Sequence, residues 1–194
     1  MHTHVSVDQV RWWLDERAIQ DVTSHAQEGT EFNLQVTLSR LPIHLIKEDV
    51  RGPIRVVGRC GFDTERSRRL ISEEEARREL LREIGPVLAT TPGFYTFLDE
   101  GDRACELRDA ATLQLEHRIY PDGASQQSLM DSVMAVATGM RYVQNLLAAT
   151  HPEAPPETSG LEGENGTNEN EGNGEEGAKP SATGEEGTEG AKDA

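Results

Sequence analysis

The sequence predicts an α+β fold: an antiparallel sheet of five or six strands with three helices, in the order α-β-β-β-α-β-β(-β)-α. Three observations predict it. Phe32, Leu34, Val36 and Leu38 alternate without a miss with Glu31, Asn33, Gln35 and Thr37, the period of a half-buried strand. Short connections link this run to apolar runs at Ile43–Ile46 and from Ile54 toward Cys60, which favours an antiparallel meander. Leu129, Val133, Val136, Met140, Val143 and Leu147 recur at threes and fours, the spacing of a long buried helix.

The elements follow in order. Ser6-Val7-Asp8-Gln9 reads as a capping box, in which Ser6 and Gln9 satisfy each other's backbone N–H groups. Val7, Val10, Leu14 and Ala18 continue at helical spacing, predicting a helix over about 7–20. After the three strands, Ser72-Glu73-Glu74-Glu75 reads as a second capping box, with acidic residues where the helix dipole favours them. Ala76, Leu80, Leu81 and Ile84 give that helix its apolar face, and Gly85-Pro86 should stop or kink it. Phe94–Leu98 reads as a strand, Asp99–Asp102 as a turn and Ala104–Leu107 as a short strand candidate. Thr112–Tyr120 is a longer strand with Leu113, Leu115, His117 and Ile119 on one face. The last helix spans about 126–148, and its Gly139 marks a close helix contact.

Composition bounds the rest. The 194 residues carry a formal net charge of −16. Residues 151–194 hold 12 acidic residues against 2 lysines and a single large apolar residue, Leu161. Such a segment cannot bury enough surface to offset its ordering entropy, so residues 1–150 read as one domain and 151–194 as a disordered acidic tail. No apolar run approaches the ~20 residues that span a bilayer, and Met1–Gln9 lacks the pattern of a secretory leader. Two isolated cysteines, Cys60 and Cys105, read as free thiols of a reducing compartment, with one disulfide as the alternative. The expected localisation is therefore cytoplasmic. Arginine far outnumbers lysine, and the excess acidity fits a halophile or simply a codon bias plus one acidic tail.

The element order, with stretches such as Val10-Arg11-Trp12-Trp13-Leu14 and Phe32-Asn33-Leu34-Gln35-Val36, resembles the type III secretion chaperone-like fold, and within it an uncharacterised archaeal family of about this length. The resemblance covers residues 7–148. It implies a protein that dimerises and binds extended peptides or partner proteins, and it transfers no catalytic residue.

His2-Thr3-His4 offers weak metal ligands with no cluster to complete them, so no metal or other cofactor is expected. His44, Cys60 and His117 would have to converge in space to act as base and nucleophile, and none sits in a local signature. Gly58-Arg59-Cys60-Gly61 lacks the spacing of a phosphate-cradling loop and reads as a bulge or turn. Arg66, Arg68 and Arg69 form the densest basic patch, which reads as a solvated surface loop beside a helix laced with ion pairs. Trp12 and Trp13 are adjacent and point about 100° apart on a helix, so either one covers a groove or dimer contact or a wide apolar face buries both.

The sequence therefore favours a non-catalytic interaction module, a chaperone-like or adaptor protein working as a homodimer or with a protein client. Trp12, Trp13, Met140 and Val143 are its candidate protein-binding residues. Two alternatives stay open. One is a small-ligand binder or enzyme with a pocket between sheet and helices. The other is a nucleic-acid-associated regulator using Arg66, Arg68 and Arg69, disfavoured by the net acidity of the domain.

Overall fold

The computed structural model describes residues 4–149, so the expected acidic tail lies outside the described residues. The first helix, α1, covers Val7–Trp13, with Ser6 Oγ accepting the Gln9 N–H as the capping box predicts. It ends well before residue 20. Asp15 Oδ1 takes the Arg17 N–H, and the Asp15 carbonyl takes those of Ala18 and Ile19. An aspartate that closes a local turn in this way competes with helix continuation. The chain then enters a strand absent from the predicted order, β1 (Ile19–Ser24), followed by β2 (Phe32–Leu38), β3 (Leu41–Lys47) and β4 (Ile54–Gly61).

Two helices follow where one was expected. Thr64 caps α2 (Glu65–Ser72) by accepting the Ser67 N–H at 3.0 Å. Ser72 ends this helix, and its hydroxyl donates back to the Arg69 carbonyl. The predicted cap at Ser72 is thus spent closing α2, and α3 (Glu74–Thr90) starts at once with no side-chain cap. The Arg77 guanidinium donates to the Ile71 and Ser72 carbonyls, satisfying acceptors that the end of α2 leaves orphaned. Pro86 sits inside α3 and does not stop it. Next come β5 (Phe94–Leu98), β6 (Thr112–Ile119) and α4 (Gln126–Ala149). Ala104–Leu107 makes only an isolated bridge from Ala104 to Leu98, then a 3₁₀ turn over Leu107–Asp109.

The fold class is α+β: a six-stranded antiparallel sheet and four α-helices, one more than expected. The sheet order is β1-β2-β3-β4-β6-β5, which leaves β1 and β5 as edges. Helix α4 lies across β3, β4 and β6, with α3 and α1 against it. The core fills the space between, from Val36, Ile43, Leu45, Val56 and Leu115 below to Leu129, Val133, Val136 and Met140 above.

Two glycines bring helix and sheet together. A Cβ on Gly58 would run into Met140 Sδ and would lie 2.6 Å from Val136 Cγ1, so only glycine lets α4 lie this low on β4. Gly58 is therefore a packing position within a strand, not a bulge or turn. Gly139 does the reciprocal job: its Cβ would meet Leu115 Cδ1 of the sheet at 2.9 Å and Thr91 Oγ1, at the C-terminal end of α3, at 3.5 Å.

Candidate functional site

The alternation that buries Leu34 and Val36 turns their neighbours to the opposite face of the sheet. The strand register puts Gln35 beside His44 and His44 beside Val57, then Arg55 beside Arg118 and Val57 beside Glu116. The second face is therefore polar. Its centre is Glu116, 2% exposed. Arg55 holds that carboxylate through Nε and Nη2 at 2.9 and 2.8 Å, and Arg118 Nε adds a third bond at 2.8 Å. Burial pushes the Glu116 carboxyl up, but the hydrogen bonds and charges of Arg55 and Arg118 outweigh it and hold it below its ordinary value. The Arg118 guanidinium also lies 4.9 Å from the ring centre of Phe94, on edge strand β5. Val57, paired with His44 on one side and Glu116 on the other, is buried on this face.

The reactive candidates do not meet. His44 pairs with Val57 and shares the polar face, whereas Cys60 is three residues further along β4 and points into the core. His117 is on the Cys60 side, but it pairs with Val56 while Cys60 pairs with Leu113, four residues or about 13 Å away along the strand. Burial pushes the Cys60 thiol up to about 12, far from a thiolate nucleophile. His117 Nδ1 lies 2.6 Å from Ser132 Oγ, and that hydroxyl lies 2.6 Å from the Ser128 carbonyl. A carbonyl only accepts, so the Ser132 proton goes there and the imidazole donates, tying β6 to α4.

His44 sits in a polar chain. Its Nδ1 is 3.1 Å from Asn33 Oδ1, and Asn33 Nδ2 donates to Gln27 Oε1 at 2.7 Å. Burial, then the nearby His25 ring and Arg59, lower its pKa from 6.5. The unfolded chain therefore binds this proton more readily than the folded one. The contribution is fully present above 6.5 and is lost as pH falls through the lowered value. The urea midpoint should drop between pH 7.5 and 5.5, and His44→Gln should flatten that drop. An equal drop in both proteins would assign it to other groups.

The basic patch lies on α2, not in a loop. Arg69 pairs with Glu73 at 2.7 Å, and on α3 Arg78 pairs with Glu74 at 2.6 Å, both one helical turn apart and exposed. Arg82 and Glu79 do likewise. Arg66 is half-buried and Arg68 exposed. His4 contacts Glu31, while His2 and Thr3 lie outside the described residues. Among the described residues no three His, Cys, Asp or Glu side chains are grouped to hold a metal.

Of the four candidate interface residues, Trp13, Met140 and Val143 are buried in the core. Trp12 is 77% exposed. Arg11, beside it, donates to Ser24 Oγ at 2.6 Å, which sets α1 alongside edge strand β1. A groove of about 490 Å³ runs between the two, walled by Arg11, Leu14, Glu16, Ile19 and Val22.

Comparison with known proteins adds the lineage. A family model described as "Uncharacterized conserved protein (DUF2299)" matches residues 6–147. The crystal structure of an uncharacterized protein from Methanothermobacter thermautotrophicus is similar, with a TM-score of 0.60 at 16% identity over 73% of this chain and 95% of that one. At that identity the likeness concerns the fold. None of the curated proteins matches. No helix among the described residues is long and apolar enough to cross a membrane.

Proposed function

For a chain that belongs to the DUF2299 family, we propose a non-catalytic protein-interaction module, a chaperone-like or adaptor protein acting in the cytoplasm as a dimer or with a protein client. The observation that carries this reading is Trp12, 77% exposed on a helix that flanks an uncapped sheet edge. A large exposed indole beside a free strand edge offers both parts of strand-addition binding: an apolar anchor and a row of unpaired backbone groups. The resemblance of the sequence to the type III secretion chaperone-like fold points to the same reading. With α2 and α3 counted as one broken helix, the element order departs from the expected one only by the added strand β1 and the missing strand at 104–107.

The test is retention from native cytosol on the immobilised full chain and on its Trp12→Ala variant. A defined protein held by the first and lost from the second, at unchanged far-UV dichroism, is the expected result. Identical retained profiles would remove Trp12 as the anchor and the reading with it.

A further inference from the structure

We infer that the occupant of the β1 edge is a second copy of this chain, paired antiparallel about a twofold axis through Thr23. The inference rests on the interaction reading above and names its partner.

The two sheet edges differ. On β5 the returning chain already uses the outer side: the Cys105 N–H donates to the Phe97 carbonyl at 2.9 Å, and Ala104 bridges Leu98. On β1 the only such bond among the described residues is at its start, where the Ile19 N–H goes to the Asp15 carbonyl at 2.9 Å. The His25 N–H donates to the Asn33 carbonyl at 2.8 Å, so by the alternation of an antiparallel ladder Thr23 also faces β2 while Val22 and Ser24 turn outward. An irregularity between Ile19 and Asp21 breaks the ladder on one side, and β1 ends at Ser24 on the other. The usable edge is therefore Val22 to Ser24.

That shortness selects the register. A twofold axis through Thr23 sets Val22 opposite the partner's Ser24, and Ser24 opposite the partner's Val22, so both outward residues of each chain are used. An axis through Val22 would bring in Gln20 at the irregularity, and one through Ser24 would need Ala26, one residue beyond His25, whose N–H still bonds β2. The chosen register also sets Asp21 opposite the partner's His25, twice, on the polar face of the joined sheets. A carboxylate facing an imidazole is a complementary pair, and a self-complementary surface is what a twofold interface requires. The same edge would be a poor match for an arbitrary extended peptide, which has no reason to carry an imidazole at that spacing. Arg11, held on Ser24, brings α1 and its exposed Trp12 to the rim of this contact.

Sedimentation of the full chain over a range of concentrations tests this, with His25→Asp, Asp21→Lys and the double variant. The wild type should dimerise. His25→Asp sets carboxylates against each other twice and should weaken the dimer by about tenfold or more. Adding Asp21→Lys should restore it, because each lysine then faces an aspartate. Dichroism confirms that the variants are folded. A dimer indifferent to His25→Asp, or a loss that Asp21→Lys does not repair, overturns the register and leaves the interaction reading standing. A wild-type monomer overturns the second copy as occupant. If that monomer also shows no Trp12-dependent capture, the interaction reading falls separately.

Discussion

Glu31→Ala should destabilise the protein by about 3–5 kcal/mol, far more than the exposed site of the mutation suggests. Its partner Lys47 is the reason. Lys47 occupies an inward position of β3 and is fully buried. Its ammonium donates to the Val5 carbonyl at 3.0 Å and meets Glu31 Oε2 at 2.9 Å. Removing the carboxylate leaves a buried cation with one neutral acceptor. Lys47→Met should cost only about 1–2 kcal/mol, because it removes the desolvated charge and leaves Glu31, 22% exposed, to water and His4. Urea unfolding of both variants reads the asymmetry. Equal losses would mean that the pair acts by simple mutual attraction. The pH dependence has a definite sign. Burial raises the Glu31 pKa, but hydrogen bonds and charges from Lys47 and His4 prevail and lower it from 4.5. Its contribution is present above 4.5 and is lost as pH falls through the lowered value.

Lys47 also shows how far the sequence could be read. Alternation through Phe32–Leu38 located β2 because one face is apolar and the other polar, so period and burial coincide. The same parity runs through Leu41, Ile43, Leu45 and Lys47, and following it to its end places a lysine inside. That signal was present, but a charged residue at the end of a strand reads by default as the exposed start of a turn. Strand β1 was harder. Its six residues hold Ile19 and Val22 as their only large apolar side chains, because an edge strand buries little and so carries little pattern. The cap at Thr64 was hidden by a stronger-looking motif at Ser72. Local capping chemistry could not reveal that Ser67, Leu70 and Ile71 are buried, which makes 65–72 a packed helix instead of a loop.

For the candidate site, adjacency on a helix set Trp12 and Trp13 about 100° apart but did not decide whether one apolar face buries both, and the structure turns Trp12 outward and Trp13 inward. The core positions of Met140 and Val143 follow from the apolar stripe of α4, which predicts burial more directly than binding. The Glu116 cluster needed the strand pairing. Arg55 and Glu116 are 61 residues apart, and only the register of β4 against β6 brings them together.

Gly58→Ala and Met140→Ala should each destabilise, and the double variant should lose less than their sum. At Gly58 a methyl group would press on Met140 Sδ and lie 2.6 Å from Val136 Cγ1, in a core where α4 is pinned along β4. Overpacking of this kind costs about 1–3 kcal/mol. Met140 is fully buried, and truncating it leaves a cavity against β4 at a cost of about 2–5 kcal/mol. The alanine methyl at position 58 points into that same space. It relieves part of the cavity, and the cavity relieves part of the clash, so a favourable coupling of about 0.5–3 kcal/mol is expected from the cycle. Equilibrium unfolding of the wild type, both single variants and the double variant measures it. Strict additivity would show that α4 can lift off β4 to admit the methyl group. Gly58 would then be replaceable, and the close seat of α4 on the sheet would owe nothing to the missing side chain.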